Sequence, residues 1–164
     1  MAASAWRRSA PNQIDARLAG NPSLHLGYLT MFVNRSTQQT VAMVFGVVYL
    51  AVAVLGFLPF LGGTYTQTPN NLLGLVPINL LHNIVHLVIG VAGIAAAASL
   101  ASARTYLKTF GIILLLLGLL GLFVQNPFGL VPIGGFDVVI HLLTGAVLTY
   151  FGFAPEVGRA RVAS

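Results

Sequence analysis

The chain has no cysteine, so a disulfide framework, a thiolate metal site and thiol chemistry are all closed to it. Charge is nearly as scarce. Eight Lys and Arg and three Asp and Glu among 164 residues make 7% charged, against 57% hydrophobic and a mean hydropathy of +0.88. That mixture lies outside the soluble globular range and indicates a protein surrounded by membrane lipid. The formal charge of +5 reflects the shortage of acids rather than a basic stripe, which argues against nucleic acid as a partner. No Gly-rich phosphate loop or nucleophile elbow occurs, and one acid near the apolar segments, Asp137, is too few for a proton relay. No catalytic residue is assigned, and the expectation is a protein that is not an enzyme.

What is abundant is apolar sequence in long runs. Hydropathy marks four segments, roughly 40–61, 78–100, 106–125 and 136–153, each near the ~20 residues that cross a hydrocarbon core of ~30 Å. The first opens with Ser36-Thr37-Gln38-Gln39, the spacing of a capping box that satisfies free amides at a helix start. Arg7, Arg8, Arg17 and Arg35 precede segment 1, Arg104 and Lys108 flank the second connection, and Arg159 and Arg161 follow segment 4. Connections 62–77 and 126–135 carry no Lys or Arg. The positive-inside rule then places both termini in the cytoplasm and the two uncharged loops outside. Three regions follow: a cytoplasmic arm 1–35 broken by Pro11 and Pro22, a membrane domain 36–154, and a cytoplasmic tail 155–164.

The membrane domain repeats. GLVPINLLHNIVHLVIG at 74–90 aligns without gaps on GLVPIGGFDVVIHLLTG at 129–145, and VFGVVYLAVAVLG at 44–56 aligns on TFGIILLLLGLLG at 109–121. The expected fold is therefore an all-α, four-transmembrane-helix bundle of two parallel helix-hairpin repeats, about 40–100 and 106–153, related by an axis along the membrane normal. Gly46 and Ala53 match Gly111 and Gly118, small residues seven apart where helices can approach closely in lipid. Gly90 and Gly145 do the same on segments 2 and 4. The Leu114–Leu117 run carries no chemistry, and Leu114 is expected to face lipid.

The repeat pairs His86 with His141 and His82 with Asp137. Spacing of i, i+4 puts His82 with His86, and Asp137 with His141, on single helix faces. With Asn83 beside them, these side chains form a candidate polar cluster near the outer ends of segments 2 and 4. Imidazole suits a bis-histidine haem, a single-histidine chlorophyll or bacteriochlorophyll, or a divalent metal. His86 and His141 are the candidate cofactor ligands, with haem or chlorophyll as the possible cofactor and no residue assigned to a metal. The plainer expectation is that His82, Asn83, His86, Asp137, His141 and Thr144 hydrogen-bond across helices, at ~0.6–2 kcal/mol each.

The stretches STQQTVAMVFGVVYLAVAVLGFLPF, NLLHNIVHLVIGVAGIAAA, ARTYLKTFGIILLLLGLLGL and FDVVIHLLTGAVLTYFGF resemble the bacterial four-helix membrane family catalogued as domain of unknown function 4383, over about residues 36–154. The family signature N-x-x-H-N-x-V-H-L-x-x-G with a later D-x-x-x-H is matched by Asn79, His82, Asn83, Val85, His86, Leu87 and Gly90, and by Asp137 with His141. The resemblance implies the four-helix fold and carries no activity. The arm is longer than the family's usual short leader. This leads to the expectation of a non-catalytic accessory subunit of a larger respiratory or photosynthetic complex, docked through its helices and residues 1–35 in a bacterial inner or photosynthetic membrane. A haem- or chlorophyll-binding bundle and a small ion or metal transporter are the alternatives.

Overall fold

The computed structural model describes residues 35–155. Residues 1–34 of the arm with its expected docking role, and 156–164 of the tail, lie outside the described residues. Four helices make up the membrane domain: α1 (Thr37–Gly56), α2 (Leu80–Ala96), α3 (Leu100–Gly121) and α4 (Phe136–Phe153). Three of them, α1, α3 and α4, are long and apolar enough to cross a membrane.

Each start has a local cause. The Ser36 side chain accepts from the Gln39 amide at 3.2 Å while Gln39 Oε1 accepts from the Ser36 amide at 3.1 Å, the capping box expected from sequence. Asn79 caps α2 by accepting from the His82 amide at 2.9 Å, and Ser99 caps α3 by accepting from the Ser102 amide at 3.1 Å. These two caps correct the second segment. Hydropathy extends it over 78–100, but the helix has only 17 residues, because Asn79 begins it and a tight turn at Ala97–Ser99 starts the next. Arg104, expected in the connection, consequently lies inside α3.

The first long loop also departs from expectation. Val-Pro-Ile at 76–78 reads as a rigid lead into segment 2, but it forms strand β2 (Val76–Ile78), antiparallel to β1 (Asn70–Leu72) with Leu72 opposite Val76. Leu73 and Gly74 turn the hairpin with φ of 54° and 72°, a left-handed pair that favours glycine at both positions. Leu72 and Ile78 point inward and are buried.

The principal helix contacts are α1 with α2 and α3 with α4. In the first pair a Cβ on Gly90 would lie 2.6 Å from the Leu50 amide nitrogen and 2.9 Å from the Gly46 carbonyl oxygen. In the second, a Cβ on Gly145 would lie 2.6 Å from the Leu115 amide nitrogen and 3.0 Å from the Gly111 carbonyl oxygen. Leu50 and Leu115 occupy matching repeat positions, so both hairpins cross at corresponding residues. Ala53 is fully buried, and Gly118 packs against Leu142. At the end of the bundle where the described chain begins, Gln38 Nε2 donates to the Ala154 carbonyl at 3.3 Å and Gln39 Nε2 to the Ala97 carbonyl at 3.0 Å. The described chain therefore enters and leaves at one end, with the hairpin and the 126–135 loop at the other.

The side-chain distribution is inverted relative to a soluble bundle. Val47, Val88, Val91, Leu116, Leu119 and Leu143 are exposed on the helices, while Gln38, Asn79, His82, Asn83, His86, Asp137 and His141 are buried. Apolar outside and polar inside is the arrangement that lipid favours. Leu114 corrects the sequence reading: it is 1% exposed and sits in the core. It matches Tyr49 in the repeat, three residues beyond the crossing glycine, and Tyr49 is buried too.

Candidate functional site

The buried polar residues gather at the loop end of the bundle, and backbone capping places them. Asn79 holds the start of α2 and donates through Nδ2 to the Leu130 carbonyl at 2.7 Å. That bond ties the first turn of α2 to the loop preceding α4. His82 follows one turn along α2 and His86 one turn further, with ring centroids 4.4 Å apart. The His82 ring also stacks on His141 of α4 at 6.2 Å and 23°.

The sequence pairs His86 with His141, yet the ring that stacks on His141 is His82, which stands at the centre of the group. One ring nitrogen from each of His82, His86 and His141 lies within 4.8 Å of the other two, and all three side chains are buried. Asp137 attends to its own helix. His141 Nδ1 is 3.0 Å from the Asp137 main-chain oxygen and 3.2 Å from its Oδ2, with the better-aligned hydrogen bond going to the main chain.

Cross-helix hydrogen bonding, the plainer expectation, holds for two of the named residues. Asn83 Nδ2 donates to the Gly56 carbonyl at 2.6 Å and the Thr64 carbonyl at 3.1 Å, and Thr144 Oγ1 meets Tyr49 Oη at 3.3 Å. The α2 histidines differ: among the described residues, His82 Nδ1 and His86 Nδ1 are buried without a hydrogen-bond partner. Two such nitrogens side by side are costly unless something binds them.

The bonds from Asn83 anchor the end of α1 and its following loop to α2. Replacing Asn83 by Leu takes the donor from the Thr64 carbonyl, while the Gly56 carbonyl keeps the Thr64 amide at 2.8 Å, so a loss of ~1–3 kcal/mol in all is expected. A chemical or thermal melt in detergent measures it, and an unchanged midpoint would show that the clamp is dispensable.

One site residue, Tyr49, is not among the candidates read from sequence. Tyr49 packs edge-on against His86 with centroids 5.3 Å apart, and the sequence signal for it is its place three residues beyond the crossing residue Gly46. Asn79, a position of the family signature, positions His82 by capping α2. Beside His86 lies a cavity of about 280 Å³ lined by α1, the β-hairpin and α4.

Helices with an apolar exterior and a buried trio of histidines at one end define a membrane helix bundle with an internal polar site. The chain belongs to the family described as domain of unknown function DUF4383, which matches residues 39–154. No curated protein and no solved structure matches it.

Proposed function

We propose that this is an integral membrane protein that holds a single d-block metal ion, of the zinc or copper type, on His82, His86 and His141. The observation that carries the reading is the convergence of three buried ring nitrogens within 4.8 Å, drawn from two helices. Ligands at ~2.0–2.1 Å around a tetrahedral ion stand about 3.3 Å apart, so modest side-chain rotations would close the trio on a metal. Three neutral imidazoles suit zinc, copper, iron or nickel rather than magnesium or calcium. The Asp137 main-chain oxygen takes the Nδ1 of His141 at 3.0 Å with its carboxylate 3.2 Å away, the kind of carbonyl or carboxylate partner that commonly orients a metal-bound histidine through its other nitrogen.

Two geometric points favour an ion over a tetrapyrrole. The His82 ring stands against both His86 and His141, where a macrocycle spanning the latter two would need to pass. The adjoining cavity of about 280 Å³ falls just below the roughly 300–1,000 Å³ of ligand pockets. Among the described residues the ligating side chains form one cluster within 4.8 Å rather than a ladder through the bundle, which supports a binding site over a conduction path. Metal analysis of the full-length protein, purified without chelators, should give about one bound ion per chain and no Soret or chlorophyll absorption. A Soret band that follows the protein would replace the metal reading with a haem one.

The membrane reading carries a topology. All eight Lys and Arg lie in the terminal regions or near the α2–α3 turn, so both termini are assigned to the cytoplasm and the histidine layer to the outer leaflet. The matched crossings at Gly46–Gly90 and Gly111–Gly145 support two parallel repeats about an axis normal to the membrane. Thr66 is exposed in the first long loop. A Thr66→Cys protein should react with a membrane-impermeant thiol reagent from outside intact cells; labelling only after lysis would reverse the orientation.

A further inference from the structure

The cavity beside His86 has a composition that specifies its visitor. Val48, Val52 and Leu55 of α1 form one wall, Phe136 and Ile140 of α4 the other, and Leu72–Val76 of the hairpin lies across it. Almost all of that lining is apolar, and the mouth residues Val48, Leu73, Leu75 and Phe136 are about half exposed or more. On a bundle whose exterior faces lipid, such a crevice is entered from the bilayer, not from water. Its polar groups are His86 and the Tyr49–Thr144 hydroxyl pair.

We propose that this crevice binds the head group of a neutral, lipid-soluble carbonyl compound of the quinone class, with its oxygen accepting from the His86 ring and its tail leaving between α1 and α4. No charged side chain lines the crevice, which disfavours an ionic head group. A purely hydrocarbon occupant would leave the buried His86 Nδ1 without a partner at the full desolvation cost. A flat ring with one or two acceptor oxygens fits a volume of about 280 Å³, and a longer tail remains in lipid.

The site adjoins the metal proposed above, and in one respect rests on that reading. A metal-bound histidine almost always engages a partner through its second nitrogen. His141 has Asp137, whereas the Nδ1 atoms of His82 and His86 have no hydrogen-bond partner among the described residues, and of those two rings it is His86 that lines the crevice. The crevice ligand would complete His86.

The test is photolabelling of the full-length protein in phospholipid nanodiscs with an azido-benzoquinone carrying a short alkyl tail, mapped by peptide mass spectrometry. Labelling is expected within 48–55, 72–76 or 136–144, with at least a tenfold reduction by excess unlabelled quinone. Val52→Trp, which fills the crevice from α1, should lower labelling comparably, and Ile140→Trp does so from α4 should the first variant fail to fold. Labelling that excess quinone does not reduce, or that persists in the folded Trp variants, overturns the proposal, as does competition by phospholipid acyl chains alone. Metal content read on the same samples separates the two ideas. Val52→Trp should keep its metal while losing the label, whereas a metal-free protein that is still labelled competitively would sink the metal reading and leave the crevice standing.

Discussion

Singly replacing His82, His86 or His141 by Gln should weaken zinc or copper binding by more than a hundredfold while the helices stay folded. Glutamine keeps much of the ring's volume and can hydrogen-bond, but its amide oxygen belongs to the donor class suited to hard cations rather than to these metals. Each imidazole supplies one of three converging nitrogens, so every single change leaves a two-ligand remnant. Asp137→Asn should be milder, about 10–100-fold, because it disturbs the partner of a ligand rather than a ligand itself. The main-chain oxygen of residue 137 would still receive the His141 ring at 3.0 Å. Competition against a chromogenic chelator gives these affinities, and circular dichroism checks the fold. If the three histidine variants bind as the native protein does, the cluster is not a metal site. If Asp137→Asn falls as far as they do, its carboxylate is a direct ligand and the geometry assigned to it is wrong.

How far this site was legible in sequence depended on which interaction fixed each residue. The i, i+4 spacings and the 55-residue repeat placed His82, His86, Asp137 and His141 at one end of the bundle because helix periodicity is local. Which rings would meet was not local. The Asn79 bond to Leu130, 51 residues away, and the shortness of α2 set the height of α2 against α4. That offset brings His82, rather than His86, to stack on His141. A hydropathy window averages over the Asn79 and Ser99 caps and so overestimates segment 2. The β-hairpin escaped notice because its turn uses Leu73 at a positive φ, without the Asn-Gly or Asp-Gly pair that announces such turns. Leu114 was misplaced because a run of leucines carries no facing information; its distance from Gly111 did.

The glycine crossings give the second large effect. Gly90→Ala should destabilise the bundle by about 2 kcal/mol, and Gly145→Ala by less. Alanine is the better helix former by ~1 kcal/mol, so propensity alone predicts the opposite sign, and packing decides the outcome. At Gly90 the three nearest atoms to a new Cβ, at 2.6–2.9 Å, are the Leu50 amide nitrogen, the Gly46 carbonyl oxygen and the Leu50 Cα. All three are backbone, and none can withdraw by changing rotamer. Relief requires α1 and α2 to separate, which puts the cost at the upper end of the ~1–3 kcal/mol typical of overpacking. At Gly145 one of the three, Leu115 Cγ, belongs to a side chain and can yield, so that variant should be the less affected of the two. Gly134→Ala is the control, since its nearest neighbours, at 3.6–3.7 Å, are side-chain atoms of Gln125. Unfolding by sodium dodecyl sulfate titration in mixed micelles measures all three. His86 lies one turn from Gly90 on the same face of α2, so parting α1 from α2 at Gly90 should also weaken metal binding, an effect that Gly134→Ala cannot produce. A Gly90→Ala protein as stable as the native one would mean that α1 and α2 do not cross at these residues, and the placement of His86 against Tyr49 would fall with that crossing.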